Sequence, residues 1–447
     1  MKKLKNVICL TFSLLFFFGQ MPAFRAEAVS YKVPFEVASQ AAYLVNTDTG
    51  DVIYEKNADK QMYPASLTKI MTAILAIEAV KDLEGTMVTA PGYVYDEFAG
   101  VGVSTADIRR GETVSMMDLL YALLLPSACE AGNIIADYVS GGDIPAFVDS
   151  MNRKARELGA VNTHFANPHG LFDSSQVTTA KDMYRIAQYA MTLPVFEKIC
   201  STPSYTMPVT EKHPGGNWYI HHTNKLLVKG SPYYYEYAKG IKTGTLPEAG
   251  RNLISTASKN GYNYLLVTLG APYENADGSN TNKSFTDAVS LYEWAFSNFS
   301  FQTILKENDV VDEVPVELSA DQDFVTVVAK NDVTALLPAQ TDASAIQQKI
   351  TLREHVKAPI KKGDLLGVVE LKLADDVISS VDLVALRDVD RSMWLYALDV
   401  TKRFFGQTYV QMMLAGLVIA FLLYLIFVVR YNRIRQKQRE RQRRYRM

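Results

Sequence analysis

A run of 21 residues without a charge, from Tyr409 to Val429, constrains this chain more than any other stretch. In an α-helix, which rises about 1.5 Å per residue, such a run spans the bilayer's hydrocarbon core of about 30 Å. Nine Lys and Arg residues follow it over residues 430–447. Because positive charge next to a span marks the cytoplasmic side, we predict a transmembrane helix over residues 409–429 and a cytoplasmic tail over residues 430–447. A buried core helix is the alternative, and the adjacent cations disfavour it.

The amino terminus has the pattern of a secretory signal peptide. Three lysines within the first five residues precede an apolar run over residues 7–18, and Ala-Glu-Ala occupies residues 26–28. A basic start, a short apolar run and a small-residue cleavage site are the three parts of such a peptide. The apolar run is short for a membrane span. We therefore predict that residues 1–28 are cleaved off rather than retained as an anchor, and that the body of the chain lies on the extracytoplasmic side.

The charge of the chain is divided unevenly between its ends and its body. Residues 1–28 carry a net charge of +3 and residues 430–447 a net charge of +8, although the whole chain carries only −2. The remaining residues therefore carry −13. Nucleic-acid binding depends on Lys and Arg at the phosphates, so this acidic body predicts that nucleic acid is not a partner.

Cysteine usage excludes a scaffold held together by disulfides. Removal of the signal peptide leaves Cys129 and Cys200 as the two cysteines of the mature chain. A small disulfide-rich fold needs more bridges than one pair can supply. One bridge between the two remains open, but we expect two separate buried thiols.

The first part of the body has the pattern of an α+β domain. Two strand-like runs around residues 48–50 are followed by helical patterns over residues 66–191. Strand-like runs return over residues 240–269, and a last helical pattern ends near residue 300. Strands, a helical block, then strands and a helix predict an α+β domain with an antiparallel sheet over residues 35–300.

The sequence pattern changes from helical to β-rich beyond residue 300. Residues 301–390 consist of short β-rich runs separated by Gly, Pro and Asp. This pattern predicts a small all-β domain, which residues 391–408 would join to the membrane helix as a juxtamembrane linker.

Ser66 and Lys69 form the first of three motifs that carry chemistry. They lie three residues apart in a predicted helix, so they share one face of it. A serine hydroxyl is a weak nucleophile that needs a base within hydrogen-bond reach. A lysine in a partly desolvated cleft has a lowered pKa and serves as such a base. This spacing is common by chance, and the alternative is a helix-capping Ser66 beside a solvated Lys69.

The other two motifs are Lys242-Thr243-Gly244-Thr245 and Ser127. The former lies in a strand-like run, where Gly permits close approach of a ligand and backbone N–H groups bind it by β-addition. Its amine and hydroxyl groups suit a carboxylate, while an exposed turn is the alternative. Ser127 lies between two helical patterns, where a helix cap is the alternative.

In this order and spacing, the three motifs resemble those of the low-molecular-weight penicillin-binding proteins, the serine-type D-alanyl-D-alanine carboxypeptidases. The resemblance extends over roughly residues 35–390. It includes YPASLTKIMTA around Ser66, GETVSMMDLLYALLLPSA before Ser127, and the segments FANPHGL, HHTNKLL and GIKTGTLPEAGRNLISTA. It implies a β-lactamase/transpeptidase-like domain, with an antiparallel sheet, helices on both sides and a helical block. A small all-β domain and one transmembrane helix follow.

The resemblance also implies the catalytic groups. Ser66 is the acylated nucleophile, Lys69 is its general base, and Ser127 relays a proton to the leaving amine. The backbone N–H groups of Ser66 and Thr245 form the oxyanion hole, an effect worth about 3 kcal/mol in related acyl-transfer sites.

The same resemblance implies a substrate-binding strand. Its lysine supports the Ser127 hydroxyl and, with the two threonines, binds the terminal carboxylate of the substrate. The substrate-binding residues are Lys242, Thr243, Gly244 and Thr245.

Two positions depart from the family's pattern. The second motif, Ser-x-Asn in the family, ends here in Cys129, and Asn133 should face elsewhere. A thiol is too weak a donor and acceptor to replace the amide, so we expect a changed substrate preference or rate with the chemistry retained. Residues 271–273 lack an Arg that relatives often carry at the end of the following strand. Arg251 and Lys283 are both candidates to compensate for it.

The sequence therefore predicts an anchored serine carboxypeptidase of peptidoglycan on the outer side of a bacterial cell membrane. Ser66 attacks the penultimate D-Ala of a stem pentapeptide, the terminal D-Ala leaves, and water releases a tetrapeptide. β-Lactams are expected to acylate the same serine. No metal or organic cofactor is implied.

Rival functions remain open at this point. A serine β-lactamase has the same fold, and a non-enzymatic wall-binding or β-lactam-sensing protein would be compatible with the altered second motif. Thiol catalysis by Cys129 is disfavoured because no spacing ties it to a histidine. Metal binding by His221 and His222 is disfavoured because adjacent strand residues point to opposite faces.

Overall fold

The structure, a computed structural model, describes residues 31–373 and 376–444. The predicted signal peptide, residues 1–28, lies outside this range. The chain forms two compact units, of which the first runs to Phe301 and includes Leu336–Thr341. The second comprises Gln302–Ala335 and the chain from Asp342 onward.

The helices of the described residues are concentrated between residues 69 and 200. They are α1 (Lys69–Ala79), α2 (Met116–Leu124), α3 (Cys129–Ser140), α4 (Ile144–Glu157), α5 (Ala180–Met191), α6 (Pro194–Cys200), α7 (Lys283–Asn298), α8 (Met393–Phe405) and α9 (Thr408–Arg444). A 3₁₀ turn over Ala65–Thr68 leads directly into α1.

The strands lie on both sides of this helical region in the sequence. They are β1 (Ala41–Asn46), β2 (Val52–Lys56), β3 (Met87–Thr89), β4 (Thr113–Ser115), β5 (Ser204–Thr206), β6 (Tyr219–His221), β7 (Ala238–Leu246), β8 (Gly250–Lys259), β9 (Tyr262–Ala271), β10 (Phe299–Leu305), β11 (Val310–Glu317), β12 (Phe324–Ala329), β13 (Val333–Pro338), β14 (Ile346–Leu352), β15 (Val356–Lys357), β16 (Leu365–Leu373) and β17 (Asp376–Ala385).

The first unit is built on an antiparallel sheet of five strands in the order β2-β1-β9-β8-β7. Side chains alternate between its two faces, and both faces are buried. Val45 and Val267 pack into a core with the helical block, whereas Leu44 and Leu266 pack into a second core with α7. Helices thus cover both sides of the sheet, as predicted, and β7 is left at the edge.

Helix α1 lies at the centre of the helical block. Its predicted apolar stripe is buried at Ile70, Ala73 and Ile74. The helix packs against α2, α3, α4 and α5, so its first residue, Lys69, enters the core instead of solvent. The 3₁₀ turn that precedes α1 lies against β7.

The second unit contains a sheet of six strands in the order β14-β16-β17-β12-β11-β15. All its pairs are antiparallel except β11 with β15. Alternate residues such as Val325, Val327 and Leu371 are buried. The prediction of an all-β domain after the α+β domain is confirmed.

The end of the chain is helical. Helix α8 forms within the segment that we predicted as a linker, and α9 contains residues 409–429. Of the helices in the described residues, α9 is the one long and apolar enough to cross a membrane, by length and composition. Cys129 and Cys200 are free, buried thiols, as expected.

Candidate active site

The predicted contact between Ser66 and Lys69 forms where the 3₁₀ turn meets α1. Ser66 lies in the turn and is half-buried, and Lys69 is the first residue of the helix. The Nζ of Lys69 donates a hydrogen bond to the Oγ of Ser66 at 3.1 Å. The two groups are therefore close enough to exchange a proton directly.

The amine of Lys69 is wholly buried, at 0% exposure. It also donates to the carbonyl of His169 and contacts the Sγ of Cys129 at 3.5 Å. Burial lowers the pKa of Lys69, and the nearby Cys129 and Glu130 oppose this shift without cancelling it. Removal from water disfavours the charged form, so this amine loses its proton more readily than a solvated lysine does.

Lys242 is a second buried amine near the first. It lies on the edge strand β7 at 0% exposure, and its Nζ donates to the carbonyl of Thr243 at 3.0 Å. Desolvation lowers the pKa of Lys242 well below its usual value, and the charge of Lys69 lowers it further. Two ammonium groups close together repel each other, so the charge of each amine disfavours the charge of the other.

Ser127 lies in the connection between α2 and α3. Its backbone is left-handed, with φ of 69°, and its side chain is 4% exposed. Its Oγ is buried without a hydrogen-bond partner among the described residues. Leaving a buried hydroxyl unpaired costs about 1–3 kcal/mol, which distinguishes Ser127 from an ordinary packed serine or helix cap.

Gly244 explains how β7 approaches the turn that carries Ser66. A Cβ at this position would lie 2.9 Å from the carbonyl oxygen of Pro64 and 3.2 Å from the nitrogen of Ser66. On the neighbouring strand, Asn252 donates to the carbonyls of Tyr63 and Pro64 at 2.9 and 3.1 Å. Strand β8 is therefore hydrogen-bonded to the segment just before Ser66, and β7 packs closely against the turn that contains Ser66. Asn252 was missed from the sequence, although it lies in the family-like segment GIKTGTLPEAGRNLISTA.

The loop over residues 165–171 supplies a further contact that the sequence did not reveal. Thr72 of α1 donates to the carbonyl of Pro168 at 2.6 Å, which holds the loop over the start of the helix. The next carbonyl, that of His169, accepts from Lys69. At Gly170, with φ of 84°, a Cβ would lie 2.2 Å from the carbonyl oxygen of Ala65. The family-like segment FANPHGL was the available signal.

The two threonines of the third motif lie on the other face of β7. Strand alternation separates them from Lys242 and Gly244. The Oγ1 of Thr243 donates to the Oγ1 of Thr223 at 2.6 Å, and Thr245 is exposed. Both threonines are thus on one face of the edge strand, while Lys242, on the other face of the same strand, is buried.

Cys129 begins α3 with its thiol facing Lys69. Asn133 does not take its place, because its amide donates to the carbonyl of Val94 and to Glu97. The prediction that Asn133 faces elsewhere is confirmed. A Cys–His pair gains no support, since the imidazole of His169 bonds to Glu97.

The two adjacent histidines behave as strand alternation predicts. His221 is exposed, whereas His222 is buried and its Nε2 contacts the carbonyl of Cys200 at 3.1 Å. Burial lowers the pKa of His222 to about 3. The two rings do not converge on one site.

An α+β domain that holds a serine hydroxyl against a buried lysine amine with a lowered pKa has the nucleophile and base of a serine-type hydrolase. The family profile of D-alanyl-D-alanine carboxypeptidase, peptidase S11, matches residues 26–273. The profile of the penicillin-binding protein 5 C-terminal domain matches residues 299–391. Since the first match covers more than half of the chain, the chain belongs to the D-alanyl-D-alanine carboxypeptidase family.

Relatives of known name agree with this assignment. The D-alanyl-D-alanine carboxypeptidase DacF of Bacillus subtilis is 27% identical over 397 residues, which is 88% of this chain and 96% of the relative. The crystal structure of penicillin-binding protein 5 from Haemophilus influenzae is 27% identical with a TM-score of 0.60, covering 81% of this chain and 100% of that one. The Streptomyces K15 DD-transpeptidase is 29% identical with a TM-score of 0.53, covering 60% and 100%.

Proposed function

We propose that this chain is a serine D-alanyl-D-alanine carboxypeptidase that removes the terminal D-Ala from peptidoglycan stem pentapeptides through an acyl-enzyme on Ser66. The observation that carries the proposal is the 3.1 Å contact between Ser66 and the buried amine of Lys69. Burial lowers the pKa of that amine, which increases its deprotonated fraction at a given pH and so its capacity to act as a base for the hydroxyl.

Acylation then proceeds in balanced steps. Neutral Lys69 accepts the Ser66 proton while Oγ attacks the carbonyl carbon of the penultimate D-Ala. The N–H groups of Ser66 and Thr245 stabilise the oxyanion. Ser127 relays the proton to the nitrogen of the terminal D-Ala, the C–N bond breaks, and D-Ala leaves. In deacylation, water attacks the ester carbonyl while Lys69 accepts its proton, the bond between the acyl carbon and the Ser66 Oγ breaks, and the proton returns to Ser66 as the tetrapeptide acid leaves.

The substrate binds along the edge strand. Because β7 has one unpaired edge in its sheet, an extended peptide adds to it through backbone hydrogen bonds. Lys242, on the buried face of β7, donates a hydrogen bond to the Ser127 hydroxyl during the reaction. Thr243 and Thr245, on the other face of β7, bind the terminal carboxylate of the substrate. Gly244 lets the peptide backbone and the Ser66 turn come together.

The same site accounts for the proposed inhibition by β-lactams. β-Lactams acylate Ser66, since they carry a strained amide and a carboxylate in the places of the scissile bond and the C-terminus.

Helix α9 anchors the enzyme in the bacterial cell membrane in a single pass. The catalytic domain lies on the extracytoplasmic side and the basic tail in the cytoplasm.

The test is D-Ala release from a diacyl-Lys-D-Ala-D-Ala peptide by the mature chain in detergent micelles. We expect release and covalent labelling by fluorescent penicillin, both lost in Ser66→Ala and both retained in Ser344→Ala, an exposed serine in the second unit. Release that persists in Ser66→Ala would contradict the assignment of the nucleophile. Absence of release from folded wild-type protein would favour a β-lactam-sensing or wall-binding protein.

A second candidate is transfer of the acyl group to an amine instead of water. The similarity to a protein named a DD-transpeptidase favours testing it. Mass spectrometry of the same reaction with an added glycyl-glycine acceptor would detect the new amide product. Long-lived penicillin adducts would at the same time exclude a β-lactamase.

A further inference from the structure

Two aromatic side chains lie beside the serine turn and have no part in the proposed chemistry. Tyr63 comes three residues before Ser66, and Phe172 comes two residues after Gly170, whose backbone packs against the same turn. The ring centroids of Tyr63 and Phe172 are 5.0 Å apart, in an edge-to-face arrangement. Phe172 is the more exposed of the two, at 47%, whereas Tyr63 is half-buried. We call these two residues the aromatic pair.

The loop that carries Phe172 is held in place by hydrogen bonds. The carbonyl of Leu171 accepts from the side-chain amides of Asn167 and Gln176 at 3.1 and 3.0 Å. The side-chain oxygen of Asn167 in turn accepts from the N–H of Gly170 at 2.7 Å. A contact residue that is already ordered has little conformational entropy to lose when a ligand binds. Phe172 therefore offers a preorganised apolar surface.

The aromatic pair lies at the end of the sheet where β7 finishes and β8 begins. Asn252, near the start of β8, donates to the carbonyl of Tyr63 at 2.9 Å. The side chain of Met62, the preceding residue, packs against Gly270, near the end of β9. Because the three strands are antiparallel neighbours, these positions lie at one end of the sheet. The segment that leads into Ser66 thus runs across this end.

The proposed function fixes the direction in which a donor peptide runs along β7. Its scissile carbonyl faces the N–H groups of Ser66 and Thr245, and its terminal carboxylate lies one residue further on, towards Thr243. The residues before the scissile bond therefore extend the other way, past Thr245 towards Leu246, the last residue of β7. The aromatic pair lies at that same end of the sheet.

A long side chain with several methylene groups suits this place. Lysine-type side chains bury their methylene groups along apolar surface and keep their amine in water. A half-exposed ring at the rim of a site provides such a surface, because an aromatic ring offers a large apolar area. An alanine at the same position of the peptide would bury far less apolar area.

We propose that Phe172, supported by Tyr63, is a specificity-determining residue that binds the methylene groups of a diamino acid at the donor position before the two D-Ala residues. The proposal rests on the carboxypeptidase function. It extends the site from the three motifs to the residue that follows the segment FANPHGL.

The test crosses a change in the enzyme with a change in the substrate. The full chain in detergent is assayed for D-Ala release from diacetyl-L-Lys-D-Ala-D-Ala and from acetyl-L-Ala-D-Ala-D-Ala. We expect the wild type to prefer the lysine peptide in kcat/KM. Phe172→Ala should reduce that preference about tenfold, the effect of uncovering about two methylene groups. Phe172→Leu, which keeps an apolar side chain, should retain part of the preference.

Phe301→Ala is the matched control. Phe301 is also partly exposed, and its ring packs on that of Tyr262 with centroids 5.0 Å apart. Tyr262 begins β9 and therefore lies at the opposite end of the sheet from the aromatic pair. Phe301→Ala should keep the whole preference for the lysine peptide.

The outcomes separate the two proposals. No turnover of either peptide by folded wild-type protein would overturn the carboxypeptidase function itself. Turnover with an unchanged preference for the lysine peptide in Phe172→Ala would overturn the role of Phe172 alone. An equal loss on both peptides would assign Phe172 a structural role and also reject the proposal. Unfolding midpoints of the variants identify a loss that comes from misfolding.

Discussion

At the scale of single residues, the chemistry depends on one amine that is kept out of water. The spacing of Ser66 and Lys69 predicts their contact, because residues three apart share a helix face. It does not predict the carbonyl of His169, which is 100 positions away in sequence. The close approach of Gly170 to the serine turn is equally invisible before the chain is folded. Contacts within one turn are thus predictable, and those made by distant loops are not.

The lowered pKa of Lys69 predicts the direction of the pH dependence of acylation. Burial lowers this pKa, and the groups around the amine are Cys129, Glu130, His169 and Lys242. Since the base acts when deprotonated, the acylation rate should rise with pH through the lowered pKa, below the usual 10.5, and then level off. Rates of labelling by fluorescent penicillin from about pH 5 to pH 9 would measure this. A rate that falls as pH rises would contradict Lys69 as the base.

Cys129 gives a second prediction at this scale. Its thiol occupies the place of the family's Asn and cannot offer an amide to the substrate. Cys129→Asn should therefore retain the rate of penicillin acylation or raise it, by up to about tenfold for one net hydrogen bond. Cys129→Ala, which adds no amide, is the control and should not show a gain. Loss of labelling in a folded Cys129→Asn protein would mean that the second motif is misassigned.

At the scale of elements, the active site depends on how closely β7 meets the serine turn. Gly244→Ala would place a Cβ 2.9 Å from the Pro64 carbonyl oxygen and 3.2 Å from the Ser66 nitrogen. The strand or the turn must then shift, and a displacement near 1 Å lowers catalysis about 100-fold. Gly215→Ala is the matched control, because no atom lies within 4 Å of its Cβ.

The measurement for this pair is kcat/KM for D-Ala release together with the unfolding midpoint. We expect Gly244→Ala to lose activity while remaining folded, because the clash concerns one turn at a sheet edge. Activity equal to that of Gly215→Ala would show that β7 does not set the geometry of the site.

The elements differ in how far the sequence predicts them. Within the helical patterns predicted over residues 66–191, α5 is amphipathic and buries one face that includes Met183, Ile186 and Ala190. The three-residue strands β3, β4 and β5 are too short to show a period, so the sequence did not reveal them. Helix α8 was missed for another reason. Its charged Lys402 and Arg403 lie beside exposed apolar residues, so the stretch was predicted as a linker.

At the scale of the whole molecule, composition predicts the order of the parts better than the details of any one of them. A change from periodic helices to short β-rich runs near residue 300 reflects two cores of different architecture, and the two compact units separate near Phe301. However, Leu336–Thr341 belongs to the first unit although it lies far beyond that point in sequence. The sequence does not show that Leu336 packs into a core formed mainly by residues before position 300.

The final prediction concerns the anchor, which follows from length and charge alone. Helix α9 contains 21 consecutive uncharged residues, and apart from Val410 its apolar side chains are not buried by the rest of the protein. A helix of this kind is stable in the hydrocarbon core of a bilayer rather than in water. The full chain should therefore stay with membranes during alkaline carbonate extraction. A chain ending at Gln407 should be extracted from the membranes, and it should still release D-Ala, because every proposed catalytic residue lies before residue 246.

The orientation is tested with a tag placed after Met447. The tag should resist protease added to sealed spheroplasts, whereas the catalytic domain should be digested under unfolding conditions. Carbonate extraction of the full chain would exclude a membrane-spanning helix, and digestion of the tag in sealed spheroplasts would reverse the proposed orientation.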